Sequence, residues 1–135
     1  ILLEGGICLK IQESAENYLE MILMLRKRKG YVRSIDIANE LGFSKPSVSR
    51  AVGILKNGGF IEVDPSDGFI TLTPAGREVA ERIYERHRVL TDWLVGIGVD
   101  EKTAMEDACK LEHAISVESF EKLKQHLREK HQQNV

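Results

Sequence analysis

Apolar residues in the first half of the chain recur three or four positions apart. Between Ser14 and about Arg28 they fall at Ala15, Tyr18, Leu19, Ile22 and Leu25, which predicts an amphipathic helix that stops at Gly30. Ser34 can cap a second, short helix to Leu41, with Ile37, Ala38 and Leu41 as its inner face. Beyond a turn at Gly42, Ser44 can cap a third helix. It takes Pro46 in its first turn, aligns Val48, Val52 and Leu55, and stops at Gly58-Gly59. The period then changes. "FIEV" and "FITLT" are short β-rich runs around "DPSDG", whose Pro and Asp-Gly chemistry favours a turn, so a hairpin is expected. Thr73-Pro74 restarts a helix to about Val95 with Val79, Ile83, Leu90 and Leu94 inward. "GIGV" breaks it, Asp100 can cap a helix to about Ile115, and Ser116 can cap a last one, "VESFEKLKQHLREK".

The pattern predicts a mainly α protein: a winged helix-turn-helix domain over residues 1–73, then an all-helical domain over residues 74–135. At 135 residues, 42% of them hydrophobic, the chain is long enough for a substantial core and reads as an ordinary globular protein. No apolar run reaches the length of a membrane span. The opening "ILLEGGICLK" lacks the basic leader and cleavage pattern of a signal peptide. A cytoplasmic protein without membrane attachment is expected, with Cys8 and Cys109 as reduced thiols.

Charge changes the picture more than composition does. The net charge is only −2, yet residues 26–57 carry eight Lys and Arg against two Asp and Glu, while residues 58–135 carry ten against fifteen. The one basic block coincides with the helix-turn-helix. There, the outward positions of "SIDIANELGFSKPSVSRAVGILKN" are Lys45, Pro46, Ser47, Ser49, Arg50 and Lys56, nearly all able to donate hydrogen bonds or charge to double-stranded DNA. Ser44, Ser47, Ser49 and Arg50 lie at the front of the helix, where base edges are met first, and Arg50 can read a guanine in bidentate fashion. Lys45, Lys56 and the wing are assigned to phosphate, and Arg26, Lys27, Arg28 and Lys29 are either further phosphate contacts or a solvated helix end. A structural αα-hairpin is the competing reading.

A second constellation lies in "DACKLEH", residues 107–113. On a helix, Cys109, Glu112 and His113 share roughly a 100° arc. Thiolate, carboxylate and imidazole together suit a divalent transition metal. The alternative is a small buried Cys beside two ordinary surface residues.

From "SAENYLEMILML" through the wing to "RHRVLTDWLVGIGVD" and "DACKLEHAIS", about residues 14–120, the chain resembles the diphtheria-toxin-repressor family of metal-dependent regulators, including its shorter manganese-transport-regulator branch. The resemblance implies that the helical domain binds metal and dimerises, and that the extra SH3-like domain of the longer members is missing. It places Asn17, Glu20, His87, Cys109, Glu112 and His113 at the metal site. In that comparison the manganese-type members carry an aspartate, and the iron-type members a methionine, where this chain has Asn17. Cys109 sides with the iron type, the manganese branch having a glutamate there. Thr91 and Met105 stand where the iron type has a glutamate and a histidine at an ancillary site, so a full second site of that kind is not expected. Thiolate favours softer or later metals over Mn(II). Fe(II) is therefore favoured, Mn(II) comes next, and Co(II), Ni(II) or Zn(II) are alternatives.

The implied function is that of a homodimeric repressor of metal-uptake genes, not an enzyme, whose affinity for a palindromic operator rises on binding Fe(II) or Mn(II). A metal-independent winged-helix regulator sensing an organic ligand or redox state through Cys109 is the alternative. A metallohydrolase is disfavoured because no separate acid or nucleophile accompanies the ligands.

Overall fold

The computed structural model describes the backbone of residues 2–133 and the side chains of residues 14–132; Cys8 therefore lies outside the described side chains. In chain order the elements are α1 (Leu2–Lys29), α2 (Ser34–Leu41), α3 (Lys45–Asn57), β1 (Ile61–Val63), β2 (Ile70–Leu72), α4 (Pro74–Gly96), α5 (Glu101–Ala114) and α6 (Val117–Gln133). They fall into two compact units, Ile1–Arg82 and Ile83–Val135, with the division inside α4. No described helix is long and apolar enough to cross a membrane.

In the first unit, α1 contacts α2, α3 and β2, while α3 contacts α2 and β1. The expected stripes form its core: Leu19, Ile22 and Leu25 of α1, Ile37 and Ala38 of α2, and Val48, Val52 and Leu55 of α3 are buried. Gly42 adopts φ 69°, and its N–H donates to the Ala38 carbonyl, closing α2 so that α3 can cross it. The hairpin pairs Ile61 with Leu72, Glu62 with Thr71 and Val63 with Ile70, antiparallel. Ile70 N–H also donates to the Val32 carbonyl at 2.7 Å, tying the wing to the segment before α2. Thr73 fastens the other end: its hydroxyl donates to the Gly59 carbonyl at 2.7 Å and accepts from Gly76 N–H at 3.2 Å. Gly76 is required there, because a Cβ would run into the Phe60 carbonyl.

Three boundaries differ from expectation. The backbone is already helical ahead of Ser14, since Ser is tolerated inside a helix at small cost and need not start one. At α2 the cap is Arg33 rather than Ser34. Asp36 makes the difference, its carboxylate accepting from the Arg33 N–H at 2.9 Å and so serving the reciprocal half of a capping box. At α5, Asp100 occupies the cap position without a side-chain hydrogen bond to the helix. Ser44 and Ser116 do cap, accepting from Ser47 N–H at 3.3 Å and Ser119 N–H at 3.1 Å.

In the second unit, Ile83 and Leu90 of α4, Ala104 and Ala108 of α5 and Phe120 of α6 are buried. Lys124 of α6 pairs with Glu85 of α4 at 2.8 Å; the hydrogen bond and charge of Glu85 hold its ammonium above the usual lysine value.

Candidate metal centre and nucleic-acid interface

Two alanines and a glutamate form the buried stripe of α5. Ala104, Ala108 and Glu112, four residues apart, are all 0% exposed, so the small alanines let α5 approach its neighbours and carry a carboxylate inward with them. This reverses the bland expectation for "DACKLEH". Cys109 is the exposed member, while Glu112 is fully enclosed and the His113 side chain is only 4% exposed.

The ligand atoms of Cys109, Glu112 and His113 lie within 4.8 Å of one another. His87, 25 residues earlier on α4, brings Nδ1 to 3.0 Å from Glu112 Oε2. The other oxygen, Oε1, is buried and accepts no hydrogen bond among the described residues; His113 Nε2 stands 3.4 Å away. A buried carboxylate oxygen left in that condition is costly. A cation would satisfy it, and the donor set of thiolate, carboxylate and imidazoles suits a transition-metal dication. The residues present thus fit a divalent metal.

The other two expected ligands, Asn17 and Glu20, sit half-buried at i and i+3 on α1 in the first unit, a spacing that places them on one edge of that helix.

The second unit also holds a residue that the sequence reading missed. Arg86, 8% exposed, donates from Nη1 to the carbonyls of Glu112 at 3.0 Å and Ile115 at 2.9 Å. Its signal lay in the inward spacing of Ile83, residues 86–87 and Leu90, which puts a cation on the buried face of α4.

On the first unit, Ser44, Lys45, Pro46, Ser47, Ser49, Arg50 and Lys56 are all exposed. Besides its cap, the Ser44 hydroxyl bonds that of Ser47 at 2.9 Å, stiffening the front of α3. Arg28 and Lys29 are committed within the unit, Arg28 gripping both oxygens of Glu40 at 2.8 and 3.3 Å and Lys29 pairing with Asp36 at 3.1 Å. The hydrogen bond and charge of Glu40 hold Arg28 above its usual value, and Arg28 holds Glu40 below its own. The wing, residues 60–73, contains Glu62, Asp64 and Asp67 and no Lys or Arg, so its charge disfavours a phosphate-holding role. Its tip is built from those acids: Asp64 Oδ1 accepts from Ser66 N–H and hydroxyl, and Asp67 Oδ1 from Phe69 N–H.

A winged helix-turn-helix, followed by a helical unit in which thiolate, carboxylate and imidazole converge, defines a DNA-binding regulator with a metal-binding half. Residues 10–69 match the N-terminal DNA-binding domain of the iron-dependent repressors, and residues 73–133 match their metal-binding and dimerisation domain. The chain belongs to this family, whose members are metal-dependent, DNA-binding transcriptional regulators and not enzymes. That membership favours the metal-dependent reading over a metal-independent sensor.

Among its relatives is an HTH-type transcriptional regulator of Methanocaldococcus jannaschii, 38% identical over 116 residues that cover 84% of this chain and 92% of the relative. The HTH-type transcriptional regulator MntR of Lysinibacillus sphaericus is 36% identical over 110 residues, 82% of this chain and 78% of MntR. The solved manganese regulator SloR superposes with a TM-score of 0.75 at 28% identity, covering 84% of this chain. IdeR of T. acidophilum does so with a TM-score of 0.72 at 28% identity, covering 83%. This chain spans about half the length of these two solved proteins, 53% in each case.

Proposed function

We propose that this chain is a homodimeric, metal-responsive transcriptional repressor of metal-uptake genes, acting in the cytoplasm, that binds a palindromic operator more tightly when a divalent cation is bound. The observation that carries the reading is the enclosed Glu112 carboxylate, facing His87 through one oxygen and leaving the other without a hydrogen bond among the described residues, beside Cys109 and His113. Cys109, Glu112, His113 and His87 would hold the ion. For Asn17 and Glu20 as further ligands, the support is the family resemblance. Bound there, a divalent cation supplies positive charge against the carboxylates and bonds that fix the donor side chains.

The remaining roles belong to the chain itself. α3 is the recognition helix: Arg50 reads a base edge, Ser44, Pro46, Ser47 and Ser49 line the approach to it, and Lys45 and Lys56 hold phosphate. Dimerisation sets two such helices against half-sites about one DNA turn apart. Fe(II) is the favoured ion because Cys109 offers a thiolate. Mn(II) comes next and has the names of MntR and SloR on its side. The test is selection of duplexes from a random pool with Fe(II) present, followed by rebinding in chelator. Recovery of a two-fold symmetric motif that is released by chelator supports the reading; recovery of no motif, or of one held equally in chelator, overturns it.

A further inference from the structure

We infer that Arg86 is a positioning residue for the metal centre: its buried guanidinium clamps the last turn of α5 and so sets where Glu112 and His113 present their ligand atoms. The inference rests on the proposed metal-binding role of those residues and adds one that contributes no ligand atom.

α5 finishes at Ala114, so its last four carbonyls have no partner in a following turn. The Leu111 carbonyl is satisfied by Ile115 N–H at 3.0 Å. The Glu112 carbonyl is satisfied by Arg86 Nη1, which at the same time holds the carbonyl of Ile115 just past the helix. One nitrogen therefore binds the chain on both sides of the helix terminus. Its positive charge also lies where the helix dipole is negative, an arrangement that stabilises the final turn. That turn carries Glu112 and His113.

The placement of Arg86 in sequence couples this clamp to the site. Arg86 and His87 are adjacent on α4. The same turn of α4 therefore supplies the imidazole that meets Glu112 Oε2 at 3.0 Å and fixes the height of α5 against it through the Glu112 main chain. Glu112 is thus held at both ends, by carbonyl and by carboxylate. The guanidinium stands 5.5 Å from the centre of the Phe120 ring, so α6 closes over the clamp. Its Nε is buried without a hydrogen bond among the described residues. The cost of desolvating a guanidinium offsets much of what these contacts return. The consequence of the contact is placement more than cohesion.

The experiment is a Co(II) titration of the full chain under anaerobic conditions, following the thiolate-to-cobalt absorption that reports Cys109 ligation, for the native protein, Arg86→Met and Arg86→Lys. The apo thermal midpoint and the emission of Trp93, the single tryptophan, are recorded alongside as measures of folding. Arg86→Met is expected to weaken Co(II) binding by about 10- to 100-fold, the usual effect of losing an outer-sphere partner, and to alter the band shape. Arg86→Lys, which keeps a positively charged donor at this position, is expected to recover most of the affinity and the native band. Native-like Co(II) affinity and spectrum in Arg86→Met would overturn the inference, as would an affinity loss in Arg86→Lys equal to that in Arg86→Met while both apo proteins melt and emit like the native chain. If Arg86→Met fails to fold, Arg86→Lys decides by itself: a native midpoint with a native band supports the clamp, and a native midpoint with the band lost overturns it. Failure of the native chain to bind Co(II) at all would instead remove the metal reading on which the inference rests.

Discussion

Nδ1 of His87 on α4 lies 3.0 Å from Oε2 of Glu112 on α5, and the glutamate has no exposure to solvent. Enclosing a carboxylate costs free energy unless every lone pair is matched, and Oε1 here accepts no hydrogen bond among the described residues. That cost is what the proposed ligand role of Glu112 accounts for. Glu112→Gln is expected to leave the apo thermal midpoint unchanged or raised, while weakening metal binding by at least about 100-fold, beyond the usual outer-sphere effect. Calorimetric metal titration alongside apo melting checks both halves, and a destabilised apo protein with intact metal affinity would contradict them.

As the proposed thiolate ligand, Cys109 is expected to set the metal preference. Thiolate favours Fe(II), Co(II) and Zn(II) over Mn(II), which prefers oxygen. Cys109→Glu is expected to lower the affinity ratio of Co(II) to Mn(II) by about tenfold or more, chiefly by weakening Co(II). Competition titration of the two ions against one chelator reads the ratio directly.

On the DNA side, Arg50 is exposed on α3 behind a front turn stiffened by Ser44 and Ser47. A bidentate Arg contact to guanine is worth about 1–3 kcal/mol of discrimination. Arg50→Ala is expected to erase the preference at one position of each half-site and leave the others intact. Parallel binding-site selections on the two proteins test this, and identical motifs would remove Arg50 from base reading.

The capping box of α2 makes the first unit sensitive to acid. Burial pushes the Asp36 carboxyl up, but the Arg33 N–H and the Lys29 ammonium together outweigh it and leave it below its ordinary 3.8. A carboxyl depressed on folding stabilises the native state above its unfolded value, and that contribution is lost as the pH falls through the folded one. Asp36→Ala is expected to cost about 1 kcal/mol at neutral pH, the typical worth of a cap. The gap between the two proteins should close below about pH 3.8 as Asp36 itself protonates. Urea midpoints measured from pH 7 to pH 3 trace it.

These four cases also mark where the sequence was legible. Local spacing placed Val48, Val52 and Leu55 inward, Gly42 at the left-handed turn and Ser44 at the cap, because each depends on residues within a turn or two. The i, i+3, i+4 spacing of Cys109, Glu112 and His113 was likewise sufficient to put their ligand atoms near one another. Which of them faces inward was not legible: it depends on how closely Ala104 and Ala108 let α5 approach, a property of packing. The meeting of His87 with Glu112 spans 25 residues and rested on resemblance alone. Arg28 with Glu40, and Arg86 with the carbonyls of Glu112 and Ile115, spanned 12 to 29 residues with no motif to announce them. Basic residues at a helix end look the same whether they await phosphate or grip a neighbouring helix.

In the proposed function, metal and DNA binding are coupled, and a DNA titration with and without metal reads that coupling. Anaerobic fluorescence anisotropy on a selected duplex gives the DNA dissociation constant with saturating Fe(II) and with chelator, for the native chain and for Glu112→Gln. Coupling of typically 1–3 kcal/mol, or about 5- to 150-fold tighter binding with metal, is expected for the native chain, and none for the variant. Equal affinity of the native chain in Fe(II) and in chelator would contradict the account.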